Sequence, residues 1–162
     1  MTIDNDIGIL QRRKIEAEIV KPIYNIIQRD FSTETAQNII QEAIANAAKD
    51  AGKAFAQQEI NGVTTIDTFA ALQPLWTKDD ALTLEVTTQT EHEFTYTVTR
   101  CKYAELYQSM GLADIGFLLS CNRDAKFIEG YAPHITLTRP HTIMKGDGFC
   151  DFCYTTSTSD DE

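Results

Sequence analysis

The hydrophobic period of this chain changes once, and that change constrains the fold more than any other feature. Leu10, Ile15, Ile19, Ile23 and Ile26 follow one another at three to five residues, with Ile27 beside them, a spacing that predicts a helix with one buried face. Pro22 interrupts this run and predicts a kink or break near Lys21. Ser32 and Thr33 are N-cap residues for a second helix. There Ala36, Ile39, Ile40, Ala43, Ile44, Ala47, Ala51 and Phe55 keep helical spacing, and the alanines imply close packing against a neighbour. Beyond residue 80 the period becomes two. "ALTLEVTT" alternates Leu82, Leu84 and Val86 with Thr83, Glu85 and Thr87; "EFTYTVTR" alternates Phe94, Tyr96 and Val98 with threonines. These are two half-buried strands, joined as an antiparallel hairpin through "TQTEH".

The rest of the chain continues the mixture. A short helix is expected over residues 66–72, another from Lys102 to Met110 with Gly111 as its stop, and a third from Asp114 to Ser120. "HITLTRP" alternates as a third strand, and Phe149 to Thr156 makes a fourth after the Gly146-Asp147-Gly148 turn. This order predicts an α+β fold, an antiparallel sheet of about four strands with the long N-terminal helices packed on one side. No repeat or linker divides the chain. Residues 1–156 read as a single domain and 157–162 as a disordered acidic tail.

Charge narrows the partners. Lys plus Arg total 14 against 24 for Asp plus Glu, a formal net charge of -10. With no basic stripe to neutralise phosphates, nucleic acid and anionic membrane are excluded as partners. No apolar run approaches the roughly 18 residues of a membrane-spanning helix, and "MTIDNDIG" opens on acids rather than on a signal pattern. A cytoplasmic location follows, in which the four cysteines would be mostly reduced. The Ala-rich second helix leaves room for a homo-oligomer.

Two of those cysteines form a CxxC pair in "MKGDGFCDFCY". On a strand, residues three apart point to opposite faces. Cys150 then shares a face with Phe152 and Tyr154, while Cys153 lies on the other with Asp151. The pair can neither chelate one metal nor form a relaxed disulfide, so Cys150 should meet something distant in sequence. Cys101, ending the second strand, and Cys121, ending the short helix, are the candidates. Against this stands the plain alternative that a free cysteine is a small buried hydrophobe.

Taken together, "VTRCKYAELY", "GFLLSCNRD" and "TIMKGDGFCDF" resemble the L-2-amino-thiazoline-4-carboxylic acid hydrolase family over most of the chain. The resemblance implies an enzyme that opens a small heterocycle, hydrolysing the thiazoline ring of a cysteine precursor to a carbamoyl-cysteine. By family pattern, Cys101, Cys121, Asp124, Asp147, Cys150 and Asp151 fall on the recurring positions. A more distant similarity, to vinyl-reductase-type ligand-binding domains and transport-complex subunits, implies an alternative without catalysis. In that alternative Cys101, Cys121, Cys150 and either His141 or Glu105 would hold a structural zinc; the hydrolase needs no cofactor.

Hydrolysis at a cyclic amidine carbon needs a nucleophile, a proton donor for the departing nitrogen and an anchor for the substrate carboxylate. A thiolate serves as nucleophile if a nearby cation lowers its pKa. Cys121 is the first choice because Arg123 and Asp124 lie within one turn, with Asp124 as general acid/base; Cys150, flanked by Asp147 and Asp151, is the second. Equally, "CNRD" could be a helix-ending turn in which Asp124 caps the next helix. Arg100 and Arg139, at strand ends, can offer a planar fork to the carboxylate, or form ordinary ion pairs. His141 is a candidate base or substrate ligand. Tyr103, with Tyr96, Tyr107 and Trp76, can line a pocket or pack as core.

Overall fold

In the computed structural model, which describes residues 7–157, the helical period and the two-residue period separate the molecule as they separate the sequence. Helices α1 (Ile9–Asp30), α2 (Thr33–Ala56), α3 (Ile66–Ala70) and α4 (Gln73–Thr77) precede the hairpin of β1 (Leu82–Gln89) and β2 (Glu93–Cys101). Helix α5 (Lys102–Ser109) follows. A π-helical turn (Phe117–Cys121) then runs directly into α6 (Asn122–Tyr131), before β3 (Ile135–Thr138) and β4 (Cys150–Thr156). The four strands form one antiparallel sheet in the order β1-β2-β4-β3. The fold is therefore α+β, with two long N-terminal helices. The acidic tail, from residue 158 on, lies outside the described residues.

Register turns the alternating strands into a single apolar face. Phe94 lies opposite Tyr154, Tyr96 opposite Phe152 and Val98 opposite Cys150, and all six are buried. The Tyr96 and Phe152 rings stack with centroids 4.7 Å apart. Phe69 of α3 and Phe127 and Tyr131 of α6 cover this face. Each buried side chain of that size contributes roughly 1.5–3 kcal/mol. Cys153, as expected, looks to the other side, where the Thr95 hydroxyl lies 3.5 Å from its sulfur.

The alanine-rich α2 finds its neighbour within the chain. Ala36, Ile40, Ile44, Ala48 and Gly52 are buried at every fourth position. A Cβ on Gly52 would stand 2.2 Å from the Phe127 carbonyl oxygen, and one on Gly130 would stand 2.1 Å from the Lys49 carbonyl oxygen. Helices α2 and α6 thus touch backbone to backbone, which only glycine permits at both positions. Ser32 caps α2, its hydroxyl accepting from the Thr35 N–H at 3.0 Å. Gly111 takes a positive φ just past α5, as a helix stop requires.

Three expectations are corrected. Helix α1 runs unbroken through Pro22. The carbonyl that Pro22 leaves without a donor belongs to exposed Glu18, where water can serve it, so continuing costs little. Nor do four of the isoleucines of α1 face inward: Ile15, Ile19, Ile23 and Ile26 are exposed, Ile19 by 64%. The inward row is instead Leu10, Arg13, Ala17, Val20, Tyr24 and Ile27, of which Ala17 and Tyr24 are buried and the others half-buried, the residues three and four apart that meet α2, α5 and the π-helical turn. Finally, no break falls at "CNRD", since the π-helical turn ends at Cys121 and the next helix starts at Asn122. That helix is α6, whose own N-terminus has no side-chain cap because the π-helical turn feeds into it.

Candidate functional site

The apolar face of the sheet and the helices above it do not close completely. Between them lies a cavity of about 850 Å³, with walls from α1, α2, α4, α6, β2 and β4. Its size is toward the upper end of the roughly 300–1,000 Å³ usual for small-molecule sites. Three of the four cysteines line it: Cys101 from the end of β2, Cys121 from the π-helical turn and Cys150 from the start of β4. All four are free thiols. Alternation along β4 thus sends Cys150 inward and leaves Cys153 behind.

Asp124, on the first turn of α6, lines the same cavity and keeps 25% of its side-chain surface accessible. Arg139, only 7% exposed, donates to its Oδ2 through Nη1 and to the Cys121 carbonyl through Nη2, at 3.1 Å. The guanidinium also sits 4.8 Å above the Phe152 ring. Arg139 therefore holds the Cys121–Asp124 turn beside the cavity.

Burial sets the protonation of this cluster. It raises Asp124 above the ordinary carboxylate range, with Arg139 opposing. It pushes Cys101 up to about 11. Cys121 is raised further, by burial first and then by the Asp124 charge, and Cys150 is also raised by burial. Sequence reasoning called for a thiolate stabilised by a cation beside Cys121. The structure places the thiols in the opposite condition: all three are protonated at neutral pH, because desolvation outweighs the nearby guanidinium.

The remaining expected residues are scattered. Arg100 lies on the surface in an ion pair with Glu105, Nε to Oε1 at 2.8 Å, away from the cavity. Asp147 closes its own loop by accepting from the Thr142 N–H at 2.9 Å. Asp151 accepts from the His141 backbone N–H at 2.7 Å and meets His141 Nδ1 at 2.8 Å, on the polar face of the sheet. His141 is raised by that carboxylate. Tyr103 does line the cavity, its hydroxyl donating to the Trp76 carbonyl at 3.0 Å. Tyr96 and Trp76 line it as well, whereas Tyr107 is core, bonded to Ser120 at 2.6 Å.

A zinc set of the three cysteines with His141 or Glu105 is not assembled, since both of those side chains are engaged elsewhere. Among the described residues no three His, Cys, Asp or Glu side chains group as a metal site would require. Two charged cavity residues, Arg13 and Glu16, escaped sequence reasoning, and Arg123 was weighed only as the cation beside Cys121. Arg13 of α1 and Arg123 of α6 converge on Glu16, and all three line the cavity. The signal for Arg13 was present, a charged residue on the inward row between Leu10 and Ala17.

With this geometry in hand, likeness to known proteins can be placed. The family model for L-2-amino-thiazoline-4-carboxylic acid hydrolase matches residues 12–154. The chain belongs to that family. Its name gives the general class, hydrolase, and the matched span includes Arg13, Glu16, the three inward cysteines, Asp124 and Arg139. No curated protein matches this hydrolase-family chain.

Among the solved structures that share its fold are two of different kinds. One is the phenol-responsive sensory domain of the transcription activator PoxR with phenol, at TM-score 0.53 and 7% identity, covering 91% of this chain and 76% of that one. The other is a trafficking protein particle complex subunit 3 from Naegleria fowleri covalently bound to palmitic acid. It matches at TM-score 0.51 and 10% identity, covering 90% and 95%. Within the family chain itself, no helix among the described residues is long and apolar enough to cross a membrane.

Proposed function

We propose that this chain hydrolyses a small cyclic substrate, opening a C–N bond at an amidine-like carbon as in 2-amino-thiazoline-4-carboxylate, to leave a carbamoyl-cysteine. The observation that carries this reading is the meeting of Cys121 and Asp124 at one cavity wall, both held by Arg139. Family membership supplies the reaction class.

The protonated state of the thiol then assigns Asp124 its task. As Cys121 Sγ adds to the amidine carbon, the Asp124 carboxylate takes the thiol proton and passes it to the departing ring nitrogen. Water next attacks the same carbon with Asp124 again as base, and Cys121 Sγ leaves with a proton, so that the carbamoyl group stays on the sulfur of the released cysteine. A carboxylate raised by burial is matched to both transfers better than a solvated one. No step uses a metal.

A second reading is favoured by a specific observation: the thiols are raised rather than activated, and the two fold neighbours carry phenol and palmitic acid in their own structures. On that reading the cavity binds a small molecule without turning it over. The two are separated by incubating the purified chain with 2-amino-thiazoline-4-carboxylate and following ring opening by mass spectrometry. Catalytic release of carbamoyl-cysteine is expected. Saturable binding with no product over many hours would favour the binding domain.

A further inference from the structure

The wall built by α1 and α6 carries charge that the chemistry above does not use. Arg13 Nη1 donates to both Glu16 carboxylate oxygens at 3.0 Å, and Arg123 Nη2 donates to Glu16 Oε2, also at 3.0 Å. Two guanidinium groups, each side chain 15% exposed, thus share one carboxylate that is 42% exposed. Two positive charges against one negative leave a formal +1. Asp124, the other carboxylate that bears on Arg123, is already matched by Arg139. Burial and the repulsion of Arg13 both act against the Arg123 charge. In a chain of net charge -10, this is a local positive wall inside a cavity.

The cavity has a second, apolar wall. Phe127 is flanked by Phe55 at 5.5 Å and Trp76 at 5.3 Å between ring centroids, and Phe69 lies 6.4 Å from Trp76. All four rings line the space. A cavity of about 150 Å³ already accepts benzene, so a lone five-membered ring would leave most of 850 Å³ unfilled. The Gln73 side chain also borders the cavity, beside the Tyr96 hydroxyl.

We propose that Arg13 and Arg123 are the substrate's carboxylate site, with Glu16 as the counter-ion the substrate displaces, and that the aromatic wall takes an apolar substituent. The ligand class is a carboxylate with a sizeable apolar group, larger than a bare heterocyclic acid. This rests on the reading of the cavity as a small-molecule site and specifies its ligand. Glu16 holds the guanidinium pair in place when the site is empty, and its exposure lets it swing aside.

The only tryptophan, Trp76, lines the cavity and reports binding by its fluorescence. The probes are phenylpentanoate, the matching alcohol phenylpentanol, and propionate. The acid should bind at least about tenfold more tightly than the alcohol, the effect of one or two charge-assisted hydrogen bonds. It should also bind at least about a hundredfold more tightly than propionate, which lacks the apolar part. Arg123→Met and Arg13→Gln should each weaken the acid about tenfold and leave the alcohol unchanged. Glu16→Gln, which removes the competing carboxylate, should tighten the acid severalfold, a gain that a damaged fold cannot produce. Equal affinity for acid and alcohol, or weaker acid binding by Glu16→Gln, would overturn the proposal. None of these titrations involves turnover. With the expected titrations in hand, absence of thiazoline ring opening refutes hydrolysis of that substrate and leaves the anion site standing. Ring opening alongside acid binding unmoved by Arg123→Met refutes the anion site alone.

Discussion

Replacing Asp124 with Asn is expected to lower kcat for ring opening by about 10²–10⁴, the usual contribution of a positioned general acid/base. Asparagine keeps the side chain's shape and can still accept from Arg139, but it cannot take the proton of Cys121. The wild-type pH profile should carry the same signature. Asp124 must be a carboxylate to act as base, so kcat/KM falls as pH drops through its pKa, which burial places above the ordinary carboxylate range. Asp124→Asn should lose that acidic limb. The substitution also removes the charge facing Arg139, and because Asp124 is only half-buried the cost stays below the roughly 3–5 kcal/mol of a fully buried pair. Urea unfolding of the variant therefore accompanies the kinetics. A folded Asp124→Asn protein with wild-type kcat would remove Asp124 from the chemistry.

The second large effect concerns the scaffold that aims α6 at the cavity. Gly130→Ala places a methyl group 2.1 Å from the Lys49 carbonyl oxygen and 2.9 Å from its carbon, both backbone atoms that cannot rotate away. The helices must separate, and the destabilisation expected is about 3 kcal/mol or more, at the severe end of overpacking. Gly52→Ala meets the Phe127 carbonyl oxygen at 2.2 Å and should behave alike. Gly148→Ala, with nothing within 4 Å of the added carbon, is the control and should stay within about 0.5 kcal/mol of wild type. Urea midpoints decide it. A Gly130→Ala protein as stable as the Gly148→Ala control would mean that α2 and α6 do not meet as closely as described.

How much of this was legible in the sequence depends on whether local chemistry or tertiary contact decided each element. The strands were legible because one face is buried, so Phe94, Tyr96 and Val98 had to alternate with threonines. That same rule placed Cys150 inward and Cys153 outward. Ser32 and Gly111 marked helix ends through their own hydrogen bonding and φ. Helix α6 was hidden because its support is tertiary: it lacks a cap, and Gly130 reads as a breaker although its role is to let α2 approach. In α1 four exposed isoleucines carried the apparent spacing, and most of the true face, Arg13 included, was passed over although Leu10 and Ile27 belong to it.

The site was legible in part for a related reason. Cys101, Cys121, Cys150, Asp124 and Tyr103 were named in advance, and the fold brings them to one cavity. Arg100 and Arg139 were chosen for their positions at strand ends, but Glu105 and Asp124 claim them. The cation environment of Cys121 was also misjudged, because sequence proximity to Arg123 says nothing about desolvation. Burial decides that thiol's state, and burial is a property of the whole fold.

The most direct test of the account is a rapid-quench experiment with 2-amino-thiazoline-4-carboxylate, read by intact mass and peptide mapping. Wild-type protein should show a transient adduct of the substrate's mass on Cys121, and Cys121→Ala should show neither adduct nor turnover. Ring opening by Cys121→Ala, or a wild-type adduct confined to another cysteine, would contradict it.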